Sequence, residues 1–169
     1  MSLFLLQMAG DPGSGKSTLA REIGKATGAV VLDKDIVKSA ALRAGADEAL
    51  AGPLAYEALF DLARSLLEQG HSIILDSPAY FTRVRENGIR VAGEFGARYH
   101  IIECVAEREL VVSRLSARER MLSQPDQPII ATYARDGAAP LSEPHLTIDM
   151  TRPLDECTRE ALDYVGRKP

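Results

Sequence analysis

One segment near the start of the chain combines glycines, a lysine and hydroxyl residues at a spacing that suits phosphate chemistry. Residues 10–18 read Gly-Asp-Pro-Gly-Ser-Gly-Lys-Ser-Thr and fit the pattern G-x-x-x-x-G-K-[ST] at every position. The glycines let the backbone approach a phosphate closely with its N–H groups turned inward, and a helix that starts there adds partial positive charge. The segment therefore predicts a nucleotide-phosphate site of the P-loop, or Walker A, type.

Two side chains of this loop have distinct expected tasks. Lys16 is expected to reach the β- and γ-phosphates and to act in catalysis, and the Ser17 hydroxyl is expected to hold Mg²⁺. The other predicted nucleotide-binding residues of the loop are Asp11, Pro12, Gly13, Ser14, Gly15 and Thr18. The alternative, an incidental glycine turn with a surface lysine, is disfavoured because the sequence predicts a strand before the loop and a helix after it.

Three aspartates follow predicted strands and are candidates for metal and proton chemistry. Asp33 and Asp35 lie two apart after the second strand, so one can face a metal while the other faces an acceptor hydroxyl. Asp76 closes the third strand, as expected for a carboxylate that binds Mg²⁺ directly or through water. Helix capping is the alternative role for all three, and position alone favours it for Asp33.

An arginine-rich segment precedes the last predicted strand. Four arginines lie on one predicted helix: Arg108, Arg114, Arg118 and Arg120. Arg114 and Arg118 share a helix face, and we expect them to stabilise the charge on a transferring phosphoryl group as part of a closing lid. Pairing with neighbouring glutamates on a solvated helix face is the alternative.

Other polar residues receive surface or structural roles. Three arginines after the third strand could contact an anionic acceptor, but each is expected at the surface: Arg83, Arg85 and Arg90. The three histidines match no metal-site spacing, so structural roles are expected for them.

The elements that must position these residues alternate between short apolar strands and segments of helical periodicity. Strands are predicted at 4–9, 29–32, 72–76, 99–104 and 146–148. Helices are predicted from Lys16 to about 28, from Ile36 to about 45, over 56–67, over 84–95, and from 154 to 165. Strands that are apolar on both faces indicate a parallel sheet between two helical layers, with the strand-ending aspartates at one edge.

Length and composition narrow the classes further. The 169 residues predict a single domain over 1–169 with a lid at about 107–140. The net charge of −4 makes nucleic acid an unexpected partner. Two cysteines, Cys104 and Cys157, favour a reducing, cytoplasmic setting. No apolar run reaches membrane-spanning length and no basic leader is present, so membrane and secreted classes are not expected.

Taken in order, these motifs carry a family resemblance. The phosphate loop, the Asp33-Lys34-Asp35 element, the 74–76 strand end, the 114–118 stretch and a closing segment at 148–154 span nearly the whole chain. The chain resembles the small P-loop kinases of the shikimate kinase, gluconokinase and chloramphenicol phosphotransferase type. It is also similar to zeta toxins, to the kinase domain of polynucleotide kinase and to AAA domain ATP-binding proteins. Only the phosphate loop is highly specific.

The resemblance implies a three-layer α/β fold with a five-stranded parallel sheet in the order 2-3-1-4-5, and ATP with Mg²⁺ as the phosphoryl donor. It implies that Asp33 lies near the metal, that Asp35 binds the acceptor hydroxyl and that Arg152 passes beside the adenine. The sequence departs from polynucleotide kinases at Lys38, where those enzymes carry an arginine. Because lysine is a poorer bidentate phosphate clamp, this departure weakens a nucleic-acid assignment.

Together these observations predict a kinase that transfers the γ-phosphoryl group of ATP to a hydroxyl of a small molecule, acting as a monomer or homodimer. Asp35 would orient or deprotonate that hydroxyl. Three alternatives stay open: a nucleotide hydrolase, a nucleotide-dependent regulator or toxin-like protein, and a 5′-hydroxyl nucleic-acid kinase. The motifs do not specify the acceptor, because one scaffold serves many.

Overall fold

The computed structural model describes residues 2–117, 119, 121–124 and 139–166. Its centre is a parallel sheet of five strands, ordered β2-β3-β1-β4-β5. The strands are β1 (Phe4–Ala9), β2 (Val30–Asp33), β3 (Ile73–Asp76), β4 (Arg98–Val105) and β5 (Leu146–Asp149). The predicted fold class and strand order are therefore confirmed.

Six helices connect or flank these strands in the described part of the chain. They are α1 (Lys16–Thr27), α2 (Lys34–Arg43), α3 (Glu48–Glu68), α4 (Thr82–Glu94), α5 (Arg108–Ala117) and α6 (Leu154–Gly166). None of the described helices is both long and apolar enough to cross a membrane.

Side chains of the central strand β1 alternate between two hydrophobic cores, one on each face of the sheet. Leu6 and Met8 belong to the core that α1 and α6 cover, and Leu5 belongs to the core under α3 and α4. Each fully buried leucine or methionine contributes roughly 1.5–3 kcal/mol through removal of apolar surface from water. The two cores hold the sheet between its helices and so fix the edge where the strands end.

Two helices begin earlier than the periodicity predicts. The helix expected from Ile36 begins at Lys34, because the Asp33 side chain accepts a hydrogen bond from the Asp35 N–H and starts it there. The helix expected from residue 56 begins at Glu48, where Asp47 caps the Leu50 N–H. The sequence there contains Gly-Pro at 52–53, which normally disfavours helix; burial of the alanines on either side offsets that cost.

Helix α4 runs unbroken through Asn87 and Gly88, although an Asn-Gly pair usually marks a turn. A Cβ atom at Gly88 would lie 2.7 Å from Oε1 of Gln7 and 2.8 Å from the ring of Tyr99. The Tyr99 hydroxyl donates to Gln7 Oε1 at 2.6 Å. The glycine is therefore needed where the helix approaches a buried polar pair on the sheet.

The expectation that Arg85 lies at the surface is wrong. Arg85 is only 2% exposed. Its guanidinium donates to Glu143 at 2.8 Å and to the carbonyls of Ala79 and Tyr80 at 3.0 and 3.1 Å. Burial of a guanidinium is tolerated here because the ion pair and the carbonyls together satisfy its donors. Arg85 thereby fastens the segment before β5 to the loop after β3. Arg83 and Arg90 are exposed, as expected.

Candidate active site

The phosphate loop forms a cradle that only glycine can complete at its first position. Gly10 has φ of +129°, and a Cβ there would lie 2.2 Å from the Cys104 carbonyl oxygen. Gly15, with φ of +104°, occupies the N-cap of α1 without a side-chain hydrogen bond. The first N–H groups of α1 are therefore left for a bound anion, as in other helix-terminal phosphate sites.

Two buried serine hydroxyls near the loop are further signs of a polar ligand site. Ser14 is almost fully buried, and its Oγ has no hydrogen-bond partner among the described residues. The Oγ of Ser77, next to Asp76, is likewise buried without a hydrogen-bond partner among the described residues, and Ser77 lines the adjoining cavity. Buried polar atoms without partners are rare in folded proteins, so both indicate a place where a polar ligand or water completes the structure.

Lys16 lies across the loop. Its Nζ donates to the carbonyl oxygens of Gly10 at 2.7 Å and Asp11 at 2.8 Å. Burial lowers the pKa of Lys16, and the negative charge of Asp76 opposes that shift. An anionic phosphate beside this ammonium would favour its charged form. The environment thus suits a lysine that binds phosphate oxygens.

Three oxygen-bearing side chains meet beside the loop. The strand register sets Asp33 directly opposite Asp76, and Ser17 hydrogen-bonds to Asp76. Burial raises the pKa of Asp76, with the Ser17 hydrogen bond acting against it and the charge of Asp33 adding to it. Burial likewise raises the pKa of Asp33, although the Asp35 N–H opposes the shift. Two crowded carboxylates would be stabilised by a cation.

This donor set fits Mg²⁺ as it is usually held beside a nucleotide. Within the described ranges, no three His, Cys, Asp or Glu side chains come together as a metal site. Mg²⁺ commonly takes only one or two carboxylates from the protein and completes its shell with phosphate oxygens and water. Asp33 and Asp76 supply two carboxylates, and Ser17 adds a hydroxyl oxygen. Asp33 caps α2 as well, so its two candidate roles coexist.

Asp35 lines the same cavity, and both of its carboxylate oxygens have polar contacts. Its Oδ1 is 2.9 Å from Nζ of Lys34, and its Oδ2 accepts from Nε2 of Gln124 at 3.1 Å. The Lys34 ammonium also lies 5.9 Å from the centre of the Tyr56 ring. Because Asp35 is only half-buried, it is accessible to a second molecule in the cavity.

The cavity has a volume of about 1010 Å³ and joins the phosphate loop to Asp35. Most of the predicted site residues line it: Pro12, Gly13, Gly15, Lys16, Ser17, Thr18, Asp33, Asp35, Asp76, Arg114 and Arg152. Asp11 and Ser14 belong to the loop but are absent from its lining. A space of this size is larger than most single-ligand pockets and can hold a nucleotide together with a small second substrate.

Two of the three arginines predicted for the site, Arg114 and Arg152, line the cavity. Arg114 donates to the carbonyl oxygens of Met150 at 2.9 Å and Ser14 at 3.5 Å, so it bridges the phosphate loop and the end of β5. Arg152 lines the cavity while pairing with Glu160 at 2.7 Å and Glu156 at 3.4 Å. Arg118 and much of the expected lid at 107–140 lie outside the described residues.

Sequence analysis missed part of the site around Asp35. Residues with no assigned role also line the cavity: Arg21, Glu48, Met121, Ser123 and Gln124. Gln124 is 89 residues from the aspartate it contacts. No local pattern links the two, so only a signal that pairs distant positions would have found this contact.

Comparison with solved structures shows the fold. The chain is similar to the Mycobacterium tuberculosis APS kinase CysC solved with AMPPNP and APS, at 20% identity and a TM-score of 0.74 over 98% of this chain and 99% of that one. It is also similar to a sugar kinase from Janibacter sp. HTCC2649, at 19% identity and a TM-score of 0.71 over 97% and 95%. A gluconokinase from Sinorhizobium meliloti 1021 matches at 16% identity with a TM-score of 0.64, over 97% and 92%.

Sequence relatives and a family match complete the comparison. Uncharacterised proteins of Mycobacterium tuberculosis and Mycobacterium bovis are 30% identical to this chain over a 126-residue match. The match covers 68% of this chain and 25% of each relative. The chain therefore matches about a quarter of the length of these curated relatives. Residues 5–135, well over half of the chain, match the AAA domain family. With a P-loop cradle, a strand order of 2-3-1-4-5 and this match, the chain belongs to the AAA domain family and has the fold of the P-loop kinases.

Proposed function

We propose that the chain is a phosphotransferase that moves the γ-phosphoryl group of ATP to a hydroxyl of a small molecule. The observation that carries the proposal is one cavity lined by Lys16, Ser17 and Asp76 together with Asp35. The charge of Asp35 acts on both Lys16 and Asp76 across this space. A kinase needs this pairing of a phosphate cradle with a carboxylate for the acceptor.

The chemistry of each side chain follows from its position. The acceptor oxygen would attack the γ-phosphorus while the bond to the β–γ bridging oxygen breaks, so that ADP leaves and the hydroxyl proton passes to Asp35. Lys16 and the backbone N–H groups of the loop would stabilise charge on the phosphate oxygens. Arg114, fixed beside the loop, would add a second positive charge, a role that we also propose for Arg118.

Mg²⁺ bound by Ser17, Asp76 and Asp33 would neutralise charge on the β- and γ-phosphates. The support for this assignment is the crowding of the buried Asp76 against the half-buried Asp33, each with a raised pKa, beside a hydroxyl. Arg152 would line the nucleotide end of the cavity, with its charge partly shared by two glutamates.

A small molecule suits the acceptor side better than a nucleic acid. Lys38, which occupies the position of the arginine in polynucleotide kinases, pairs with Glu48 at 2.6 Å. Lys34 pairs with Asp35. Because both lysines already have carboxylate partners, neither offers a free charge for a phosphodiester backbone, and the net charge of −4 would repel one at longer range.

ADP release from Mg·ATP, measured alone and with pooled acceptors, tests the proposal. The pools would hold sugars, sugar acids, nucleosides, aminoglycosides, chloramphenicol and a 5′-hydroxyl oligonucleotide. We expect one small-molecule pool to raise turnover well above the acceptor-free rate. Fast turnover that no pool changes would indicate a hydrolase instead. Tight ATP binding without turnover would indicate a nucleotide-dependent regulator, and stimulation by the oligonucleotide alone would indicate a nucleic-acid kinase.

A further inference from the structure

We propose that Gln124 is a positioning residue that holds the Asp35 carboxylate in one orientation for phosphoryl transfer. The inference rests on the proposed function, since it assigns to Gln124 a task in presenting the acceptor carboxylate. It concerns the short turn formed by residues 121–124, here called the 121–124 turn, which lines the cavity on the Asp35 side. Neither the phosphate-loop motif nor the strand-ending aspartates point to this turn.

The internal hydrogen bonds of the turn fix which way the Gln124 amide faces. The Gln124 N–H donates to the Met121 carbonyl at 3.0 Å, and the Met121 N–H donates to Gln124 Oε1 at 3.2 Å. With its oxygen committed to the turn, the side-chain amide turns its NH₂ group outward. That group donates to Asp35 Oδ2 at 3.1 Å. An amide nitrogen, and not an amide oxygen, therefore faces the carboxylate.

The turn is fastened to α2 by the residue before Gln124. The Ser123 hydroxyl donates to the Asp35 carbonyl oxygen at 3.1 Å, and the Ser123 N–H donates to Ser39 Oγ at 3.1 Å. Ser123 and Ser39 are both buried. The distance between Gln124 and the first turn of α2 is thus set by two further hydrogen bonds, both made by the buried Ser123.

Lys34 and Gln124 contact different oxygens of the Asp35 carboxylate, and together they restrict its orientation. Lys34 approaches Oδ1 and Gln124 approaches Oδ2, so rotation of the carboxylate would break one contact or both. A fixed carboxylate matters because a displacement of about 1 Å in a reacting group can cost on the order of 100-fold in rate.

Glutamine suits this place because it donates without carrying charge. A lysine or arginine at 124 would add a second positive charge beside Asp35 and weaken it as a proton acceptor. A glutamate would repel it. The neutral amide orients the carboxylate and leaves its charge intact.

The kinetic test compares Gln124→Met, which keeps the side-chain length but removes the donor, with Leu122→Ala in the same turn. Leu122 is 61% exposed and is absent from the cavity lining, so it is the matched control. With the acceptor found in the pooled assay, we expect Gln124→Met to lower kcat about 10- to 100-fold, while KM for ATP stays within about twofold. Leu122→Ala should leave both unchanged. A wild-type kcat in Gln124→Met would overturn the positioning role.

A double-mutant cycle separates positioning from general damage. If Gln124 acts through Asp35, adding Gln124→Met to Asp35→Asn should cause no further loss of kcat. Losses that multiply would overturn the inference. Should Gln124→Met fail to fold, Gln124→Asn replaces it; its amide is one methylene shorter, and an intermediate kcat is expected.

The contact itself has a readout that needs no acceptor. The side-chain amide resonances of Gln124 in a ¹H–¹⁵N spectrum should move in Asp35→Asn and stay in place in Leu122→Ala. Resonances that do not move in Asp35→Asn would overturn the contact. Absence of turnover with every acceptor pool would instead overturn the proposed function, and with it the catalytic reason for the contact.

Discussion

Asp33 and Asp76 stand directly opposite each other as the last residues of β2 and β3. Two neighbouring parallel strands therefore deliver their closing carboxylates to the same point of the sheet edge, next to the phosphate loop that ends β1. The arrangement is unfavourable without a cation, since burial and mutual repulsion raise the pKa of Asp76. Such crowding of carboxylates is expected, before the ligands bind, of a site that takes up a metal ion together with a nucleotide.

The cost of the buried carboxylate predicts that Asp76→Asn stabilises the protein in the absence of nucleotide and metal. A raised pKa means that the folded state holds the proton more tightly than the unfolded state, so the carboxyl favours folding at low pH. That contribution is lost as pH rises through the folded pKa. Urea denaturation at pH 7 should therefore give a higher midpoint for Asp76→Asn than for wild type, with the difference vanishing below about pH 3.8. Transfer activity should fall in the same variant, and an unchanged midpoint at pH 7 would contradict this account.

Asp35→Asn should separate catalysis from nucleotide binding. General-base contributions are on the order of 10²–10⁴-fold, so we expect kcat to fall within that range. ATP affinity, measured by calorimetry, should change less than about twofold, because Asp35 is not part of the phosphate loop. Loss of ATP binding in this variant would instead make Asp35 structural.

Gly10→Ala should damage the phosphate loop through two separate effects. Its positive φ costs about 1–2 kcal/mol for a residue with a Cβ, and the contact with the Cys104 carbonyl adds overpacking of roughly 1–3 kcal/mol. Gly28→Ala is the matched control, because φ is +75° there and nothing lies within 4 Å of the added Cβ. Thermal denaturation should show the larger loss for Gly10→Ala, with ATP affinity reduced only in that variant. Equal losses of stability in the two variants would show that the backbone shifts to relieve the contact with the Cys104 carbonyl.

Arg85→Met should destabilise the fold by about 3 kcal/mol, the scale for removing one partner of a buried ion pair. The exposed pair of Arg90 and Glu94 provides the control, since Arg90→Met should cost no more than about 1 kcal/mol. Chemical denaturation of the two variants measures both values. A loss below about 1 kcal/mol in Arg85→Met would mean that the guanidinium contributes packing alone.

The same ion pair predicts a dependence on pH. Burial alone would raise the pKa of Glu143, but the hydrogen bond and charge of Arg85, together with backbone hydrogen bonds, outweigh it, and the pKa lies below its ordinary value of 4.5. The pair therefore contributes stability that is present above pH 4.5 and is lost as pH falls through the lower folded value. The stability difference between wild type and Arg85→Met should narrow over that acidic range. A difference that stays constant down to pH 3 would argue against the pairing.

The strand order 2-3-1-4-5 was implied by the family resemblance. The amino-acid sequence by itself determined the phosphate loop, the strand-ending aspartates and the parallel sheet between two helical layers. These features depend on interactions within a few residues or on periodicity: Gly10 and Lys16 are six apart, and the apolar strands with intervening helices allow few topologies. The start of α3 was predicted too late, because burial of its alanines outweighs the local effect of Pro53. Local preference is a weak guide where packing opposes it.

Only the tertiary structure decided what surrounds those motifs. The contact of Gln124 with Asp35 joins positions 89 apart, and the pairing of Arg85 with Glu143 joins positions 58 apart. All four residues are polar, and Arg85 is buried while the other three are half-buried. Their burial depends on partners that arrive from separate elements, because a polar group leaves water only where the completed fold supplies its hydrogen bonds.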